Sequence, residues 1–504
     1  MGIIESSLSE LLSFTSIGVI LLGSLVGLLI GALPGLGATI AVVLLLPITY
    51  TMSPVAAILL LLSAFQAAEY GGSISSIVLG IPGTPAAAAT VLDGNALAKK
   101  NSPGKALAYS LVASTIGGLI GGLALLTLSG TFSRLALAIS VPEYFLIGIL
   151  GLVAVASLSS KDKMRSSISV ILGLMAGTVG MDMFTATSRY TFGHTELIEG
   201  LSIIMLLVGM FAFSEVFSMV SNDLNKKYSS NTKGLHTKIT ISEIKSVGKP
   251  IGIGSVIGSI VGIFPGLGTA ASSWFSYSLA KKWSKNPEDF GNGNPEGIAA
   301  PEAANNATVG GAMVPLLTLG IPGSPGMAII MGAFIIHGIQ PGPKFFADQG
   351  HLAYAIIIGF IFTSIAMYFM GRLVTPLFSR VLTIPTTILV PGVVILSILG
   401  LYASTQSFFN LWLALFIGII SFILNKLKFS MPSFILAFVL CPIIETNLRR
   451  TLILSEGSYG IFFQRFSSII IMIFIFALIL FPIFSKFVKD FKKKNKNKLE
   501  YPTT

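Results

Sequence analysis

The chain has 504 residues, 53% of them hydrophobic and only 11% charged, where a soluble protein carries about 25% charged residues. That apolar surplus cannot be kept off a soluble surface, which excludes a soluble enzyme. The formal net charge of +11 gathers in two lysine runs, one from Lys226 to Lys249 and one from Lys486 to Lys498, both beside apolar stretches. This placement marks cytoplasmic loops along a lipid bilayer. No basic-aromatic or zinc-spaced module accompanies it, so no nucleic-acid partner is expected.

In chain order, the first apolar run spans Ile17 to Leu33 and follows a segment with Glu5 and Glu10 but no lysine or arginine. A secretory signal needs a positive start, so the run is read as mature membrane structure. Further runs fall at 38–50, 54–68, 74–92, 106–128, 134–157, 166–186 and 200–221. Beyond the lysine-bearing stretch they resume at 251–264, 268–280, 297–318, 319–337, 352–377, 381–402, 408–425, 430–444 and 467–485. Solid apolar runs predict an all-α, polytopic membrane protein; a β-barrel would alternate in segments of about 10 residues. A spanning helix takes roughly 20 residues, which predicts about 10–12 transmembrane helices. Runs shorter than that predict re-entrant or broken segments, and the run 430–444, with Cys441-Pro442, is left without an assigned crossing. Cys441 is the single cysteine, so no internal disulfide forms. The four histidines lack ligand spacing, and no metal site or cofactor is expected.

The chain repeats itself. Gly31-Ala-Leu-Pro-Gly-Leu-Gly37 recurs as Gly262-Ile-Phe-Pro-Gly-Leu-Gly268, 231 residues on (Pro34 to Pro265). Leu79-Gly-Ile-Pro-Gly-Thr-Pro85 recurs as Leu319-Gly-Ile-Pro-Gly-Ser-Pro325, 240 residues on (Pro82 to Pro322). The difference fits an insertion in the polar loop Lys281 to Pro295. The expected organisation is a first membrane repeat at 1–221, a cytoplasmic basic linker at 222–250, a second membrane repeat at 251–485 and a basic cytoplasmic tail at 486–504.

Charge placement predicts how the repeats are oriented. In the first, the loop Thr49 to Pro54 after motif one is uncharged, while Lys99, Lys100 and Lys105 follow motif two. In the second, Lys281, Lys282 and Lys285 follow motif one, and Lys344 alone follows motif two. If cationic loops face the cytoplasm, equivalent loops lie on opposite sides, which is the signature of an inverted-topology repeat. The N-terminus is then expected outside and the C-terminus inside.

Each Pro-Gly turn breaks a helix and leaves backbone N–H groups near a new helix start, a site suited to an anion. The bland alternative is glycines that serve only helix packing. The candidate substrate-binding residues are Gly35, Gly37 and Thr39 in the first turn and Gly266, Gly268 and Thr269 in the second. Gly83 and Thr84 with Gly323 and Ser324 form the second motif pair, and Gly71, Gly72 and Ser73 lie just upstream. Glu302, Asn305 and Asn306 are spaced to share a helix face. Polar side chains inside a membrane line pathways or bond between helices. Asn305 and Asn306 are assigned to substrate, Glu302 and Gln66 to ion coupling. Glu69, Asp93, Asp182, Arg189, Glu215 and Glu445 are further ionisable residues in or beside apolar runs, without an assigned role.

These motifs together resemble a known family, the large membrane subunit of the bacterial tripartite tricarboxylate transporters. The resemblance runs from about Gly23 to Arg465. It includes Tyr70-Gly-Gly-Ser73, Leu92-Asp-Gly94, Val141-Pro-Glu-Tyr-Phe145, Thr178-Val-Gly-Met-Asp182 and Arg189-Tyr-Thr-Phe-Gly193. Its most specific stretch is Glu296-Gly-Ile-Ala-Ala-Pro-Glu-Ala-Ala-Asn-Asn-Ala307, followed by His337-Gly-Ile-Gln-Pro-Gly-Pro343 and Asn447-Leu-Arg-Arg450. The chain departs from the family's usual residues at Gly80, Asn410 and Phe466. The resemblance implies an organic-carboxylate permease of the bacterial inner membrane, working with a small membrane subunit and a periplasmic solute-binding protein. Na+ or H+ would be the coupling ion and no ATP would be used; the chain has no Walker A motif. The alternative is a stand-alone carboxylate or anion permease, or a channel, without a periplasmic partner.

Overall fold

In a computed structural model of the protein, the structure describes residues 3–100, 102–158, 162–221, 235, 237–378 and 386–480. Residues 222–234 and 236 of the linker and all of the tail 486–504 lie outside the described residues. Up to Ser221 the helices are α1 (Ile3–Leu11), α2 (Phe14–Ala32), α3 (Gly37–Leu45), α4 (Pro54–Leu79), α5 (Ala88–Lys100), α6 (Pro103–Leu137), α7 (Val141–Leu158), α8 (Lys163–Gly177), α9 (Ile203–Leu207) and α10 (Ser214–Ser221). From Ile241 they are α11 (Ile241–Ser246), α12 (Gly248–Ile263), α13 (Gly268–Trp283), α14 (Pro295–Leu319), α15 (Pro325–Ile336), α16 (Phe345–Asp348), α17 (Gly350–Val374), α18 (Thr386–Thr405), α19 (Phe408–Lys426), α20 (Met431–Leu454) and α21 (Ile461–Gln464). A last apolar helix covers Phe466–Leu480. Two short strands, β1 (Gly180–Met181) and β2 (Ser188–Arg189), pair antiparallel in the connection after α8.

Among the described residues, eight helices are long and apolar enough to cross a membrane, and five apolar helices are shorter. The protein is an all-α polytopic membrane protein. Several boundaries differ from the sequence expectation: the separate runs 54–68 and 74–92 meet in α4, which is continuous from Pro54 to Leu79. The runs 106–128 and 134–157 were expected to be separate from Leu128 to Arg134, yet α6 continues unbroken to Leu137. No proline lies between Leu128 and Arg134, and Gly130 keeps helical backbone, so nothing there ends the helix. The run 430–444 belongs to α20, which goes on through Pro442 to Leu454 and is long enough to cross. The charges that ended the apolar run, Glu445 and Arg449, are paired with each other at 2.9 Å.

The core is built on α4 and α14. The apolar stretch of α4 is completely buried, and α14 is buried around its whole circumference. α18 and α19 are mostly exposed and carry Trp412, Phe416 and Ile423 outward, as befits lipid-facing helices. Each central helix is gripped by a glycine-rich neighbour. A Cβ at Gly23, Gly27 or Gly31 of α2 would stand 2.4, 2.2 or 2.2 Å from the carbonyl oxygens of Leu60, Ala64 and Ala68 on α4. At Gly254, Gly258 or Gly262 of α12 it would stand 2.2, 2.3 or 2.5 Å from those of Ala300, Ala304 and Thr308 on α14. Every glycine is matched at the 231-residue spacing and every carbonyl at the 240-residue spacing. The two helix pairs thus share one backbone-to-backbone interface, possible only without a side chain at the contact.

The basic connections meet on one face. Lys100 Nζ donates to the Asn292 carbonyl at 2.6 Å, Lys105 pairs with Glu243 at 2.5 Å, and Lys249 Nζ donates to the Trp283 carbonyl at 3.0 Å. The lysine loop after motif two of the first half therefore lies beside the loop after motif one of the second. The opposite pair of loops also comes together: His337 meets the Thr49 main chain, and the segment Leu46–Thr51 packs on α15.

Candidate functional site

Four helix breaks define the site, and local chemistry makes each one. α2 ends at Leu33 because Pro34 lacks an N–H and forces its predecessor into extended backbone. Gly35 then takes a φ of 94° and Gly37 one of 70°; Gly266 and Gly268 repeat this at 88° and 65°. Only glycine accepts these values without strain. α3 and α13 start at once, so the first N–H groups of both helices have no intrahelical partner. The other two breaks follow α4 and α14, which end on Gly80 and Gly320 before the Ile-Pro-Gly segments. Ser324 caps α15, its Oγ accepting from the Met327 N–H at 3.3 Å. Thr84 Oγ1 accepts from the Ala87 N–H at the same distance.

The breaks interlock. The Gly83 N–H donates to the Gly72 carbonyl at 3.1 Å, and the Gly266 N–H donates to the Gly323 carbonyl at 3.1 Å. All four line one cavity of about 720 Å³, within the range of small-molecule sites. Of the residues singled out in the sequence, Gly35, Gly37, Thr39, Gly83, Thr84, Gly266, Gly268, Thr269, Gly323 and Ser324 line it.

The remaining ones stand behind the wall. Gly71 packs on the Leu28 carbonyl, and Gly72 leaves room for the Thr84 side chain. Ser73 donates to Glu302 Oε1, as does Thr90. Ser110 and Ser114 donate to Glu302 Oε2 at 3.0 and 2.8 Å. Glu302 is thus caged by four hydroxyls from α4, α5 and α6. Gln66 is held by α17: its Nε2 donates to Ser364 Oγ at 2.7 Å and its Oε1 accepts from Thr363 Oγ1 at 2.5 Å. Asn305 Nδ2 donates to the Glu69 carbonyl at 3.4 Å, whereas its Oδ1 and both amide atoms of Asn306 have no hydrogen-bond partner among the described residues.

Glu69 and Glu215 do line the cavity, together with Phe65, Met210, Phe211, Ser214 and Asn425. The sequence signal for the two glutamates was only that an acidic residue sat in an apolar run. Asp93 and Asp182 have other partners. Asp93 Oδ1 accepts from the N–H groups of Gly291, Gly293 and Asn294 at 2.9, 2.9 and 2.8 Å, and Tyr277 donates to its Oδ2 at 2.9 Å. It therefore ties the loop before α14 to α5. Asp182, in the β1–β2 connection, accepts from the Phe184 N–H at 2.8 Å and pairs with Arg449 at 2.9 Å. Arg189 pairs with Glu445 at 2.6 Å. The Phe184 N–H and then Arg449 hold the Asp182 carboxyl well below its ordinary value of 3.8, at about 2.

Broken helices that meet around a cavity inside a polytopic helical bundle are an arrangement of membrane transport proteins. Residues 17–436 match the tripartite tricarboxylate transporter TctA family, and the chain belongs to that transporter family. It is 36% identical over 440 residues to an uncharacterised 52.8 kDa protein in the TAR-I ttuC′ 3′ region of Agrobacterium vitis, a match covering 87% of this chain and 88% of that one. A protein in the TAR-II ttuC′ 3′ region of the same organism is 39% identical over 205 residues, 41% of this chain and 85% of that one. No solved structure matches.

Proposed function

We propose that the chain is the large membrane subunit of a binding-protein-dependent secondary transporter that imports an organic carboxylate across the bacterial inner membrane by Na+ or H+ symport. The observation that carries this reading is the convergence of four glycine-bearing breaks, two from each half, on one cavity. The first N–H groups of α3 and α13, which have no intrahelical partner, and the hydroxyls of Thr39 and Ser324 are the donors offered to carboxylate oxygens. The membership of a tripartite family supports a small membrane subunit and a solute-binding protein as partners, the latter selecting the substrate. The substrate class is a tricarboxylate or dicarboxylate.

Alternating access would follow from inverted repeats moving about the shared cavity. The meeting of the lysine loops on one face supports that topology, with the N-terminus outside and the C-terminus inside. The test is uptake of radiolabelled citrate, tartrate and succinate by cells carrying the chain with the small membrane and binding-protein subunits encoded beside it. Saturable uptake that ionophores abolish and ATP depletion alone does not is the expected result. Uptake that persists after both ion gradients collapse contradicts a secondary mechanism. Ion currents without saturable, binding-protein-dependent uptake indicate a channel instead.

A further inference from the structure

The charge content of the cavity is opposite to what an anion needs. Two carboxylates reach it, Glu69 and Glu215, and none of its described lining residues is Lys, Arg or His. One carboxylate stands at each Pro-Gly turn. Thr269, after the second turn, donates to Glu69 Oε1 at 3.2 Å. A Cβ at Gly35, in the first turn, would stand 3.6 Å from Glu215 Oε1.

Neither glutamate is paired with a cation among the described residues. Glu69 is 5% exposed; besides Thr269, the side chains of Thr84 and Asn305 approach its carboxyl, and among the described residues no donor closes on Oε2. Beside it, Asn305 is 1% exposed, and among the described residues no donor meets its Oδ1. Glu69 Oε2 and Asn305 Oδ1 are thus two neighbouring oxygen acceptors without a closed hydrogen bond among the described residues, the chemistry that suits a proton or a small hard cation. A buried carboxylate without a partner is costly as a bare charge and is stabilised by whatever neutralises it.

We propose that Glu69 and Glu215 are the seats of the coupling cations, each neutralised by one Na+ or H+ before the carboxylate substrate occupies the cavity. This rests on the symport reading given above. With both glutamates bare, the cavity repels an anion; with a cation on each, the N–H groups and hydroxyls of the breaks are left to attract it. The coupling is reciprocal, so the anion raises cation affinity by the factor by which the cation raises anion affinity. These seats are separate from Glu302, whose oxygens are already engaged by four hydroxyls and which does not line the cavity.

The experiment measures radioactive sodium binding, proton uptake and radiolabelled citrate binding on the full chain in nanodiscs. Sodium is titrated at fixed pH, and pH at fixed sodium. Wild type is expected to bind citrate more tightly as sodium rises or pH falls. Glu69→Gln and Glu215→Gln mimic the neutralised state. Each should keep citrate binding within a few-fold while losing one cation from the dependence, and the double variant should bind citrate independently of both cations. Glu69→Asp and Glu215→Asp keep the charge and should keep the dependence, which separates the role from a folding defect. Unchanged cation dependence in both Gln variants overturns the proposal while leaving carboxylate transport intact. Wild-type proteoliposomes that accumulate no citrate, tartrate or succinate under an imposed sodium or proton gradient, with partner subunits present, overturn the transport reading and this inference with it.

Discussion

Thr269 donates a hydrogen bond to Glu69 Oε1 across 3.2 Å, joining the helix that starts at the second Pro-Gly turn to one 200 residues earlier. The contact couples the two halves at the wall of the cavity both residues line. Thr269→Val keeps the shape and removes the donor. A hydrogen bond is worth about 0.5–1.5 kcal/mol net, so the cation concentration that half-saturates citrate binding is expected to shift by about two- to tenfold. The amount of chain in the membrane should be unchanged. Binding isotherms and membrane yield check both statements.

The glycine interfaces predict a matched pair of failures. Gly27→Ala and Gly258→Ala each place a Cβ about a bond length inside contact with a backbone oxygen, 2.2 Å from Ala64 O and 2.3 Å from Ala304 O. Backbone cannot yield as a side-chain tip can, and overpacking of this kind costs about 1–3 kcal/mol or more. Both variants should melt at lower temperature in detergent. Gly252→Ala, with nothing within 4 Å of the new Cβ, should match wild type, and equal melting of all three contradicts the packing.

The four breaks were legible in the sequence because their chemistry is local. Pro34 and Pro265 end a helix wherever they stand, and a φ near 90° admits only glycine at Gly35 and Gly266. The long α6 was not legible, since Ser129, Gly130, Thr131 and Ser133 interrupt the apolar run without ending the helix. The spacing of Glu302, Asn305 and Asn306 put them on one face, but α14 is buried on every face. Periodicity therefore had no means of telling the cavity wall from the packing side. Glu302 found its partners in Ser73, which the sequence had placed with the substrate, and in the unremarked hydroxyls of Thr90, Ser110 and Ser114. Glu69 and Glu215 acquire meaning only from the tertiary approach of the two Pro-Gly turns.

The hydroxyl cage predicts graded damage at Glu302. Glu302→Gln keeps one carbonyl oxygen, and hydroxyls can turn to accept from the new amide. Glu302→Leu leaves four donors unmet, each costing about 1–3 kcal/mol when buried. The leucine variant should fail to accumulate as a monodisperse species on size-exclusion chromatography, while the glutamine variant should survive. Equal survival contradicts the cage.

The connection between β1 and β2 carries a pH prediction. The Asp182 carboxyl sits at about 2 when folded against an ordinary 3.8. A depressed value stabilises the folded form fully above the ordinary one, and that contribution is lost as pH falls through the folded one. The loop should resist pepsin at pH 4 and be cut progressively faster toward pH 2. Asp182→Asn should remove this dependence, and identical digestion profiles of wild type and variant contradict the assignment.

The most direct test of the shared cavity uses the fact that Cys441 is the single cysteine. In a Cys441→Ser background, Thr39→Cys and Thr269→Cys are introduced separately, one at each Pro-Gly turn, and the rate of labelling by a small thiol reagent is measured with increasing citrate. The account predicts that citrate slows labelling at both positions with the same half-maximal concentration, because one bound molecule covers both turns. Protection at one position only, or at two different concentrations, contradicts a single site built from the two halves.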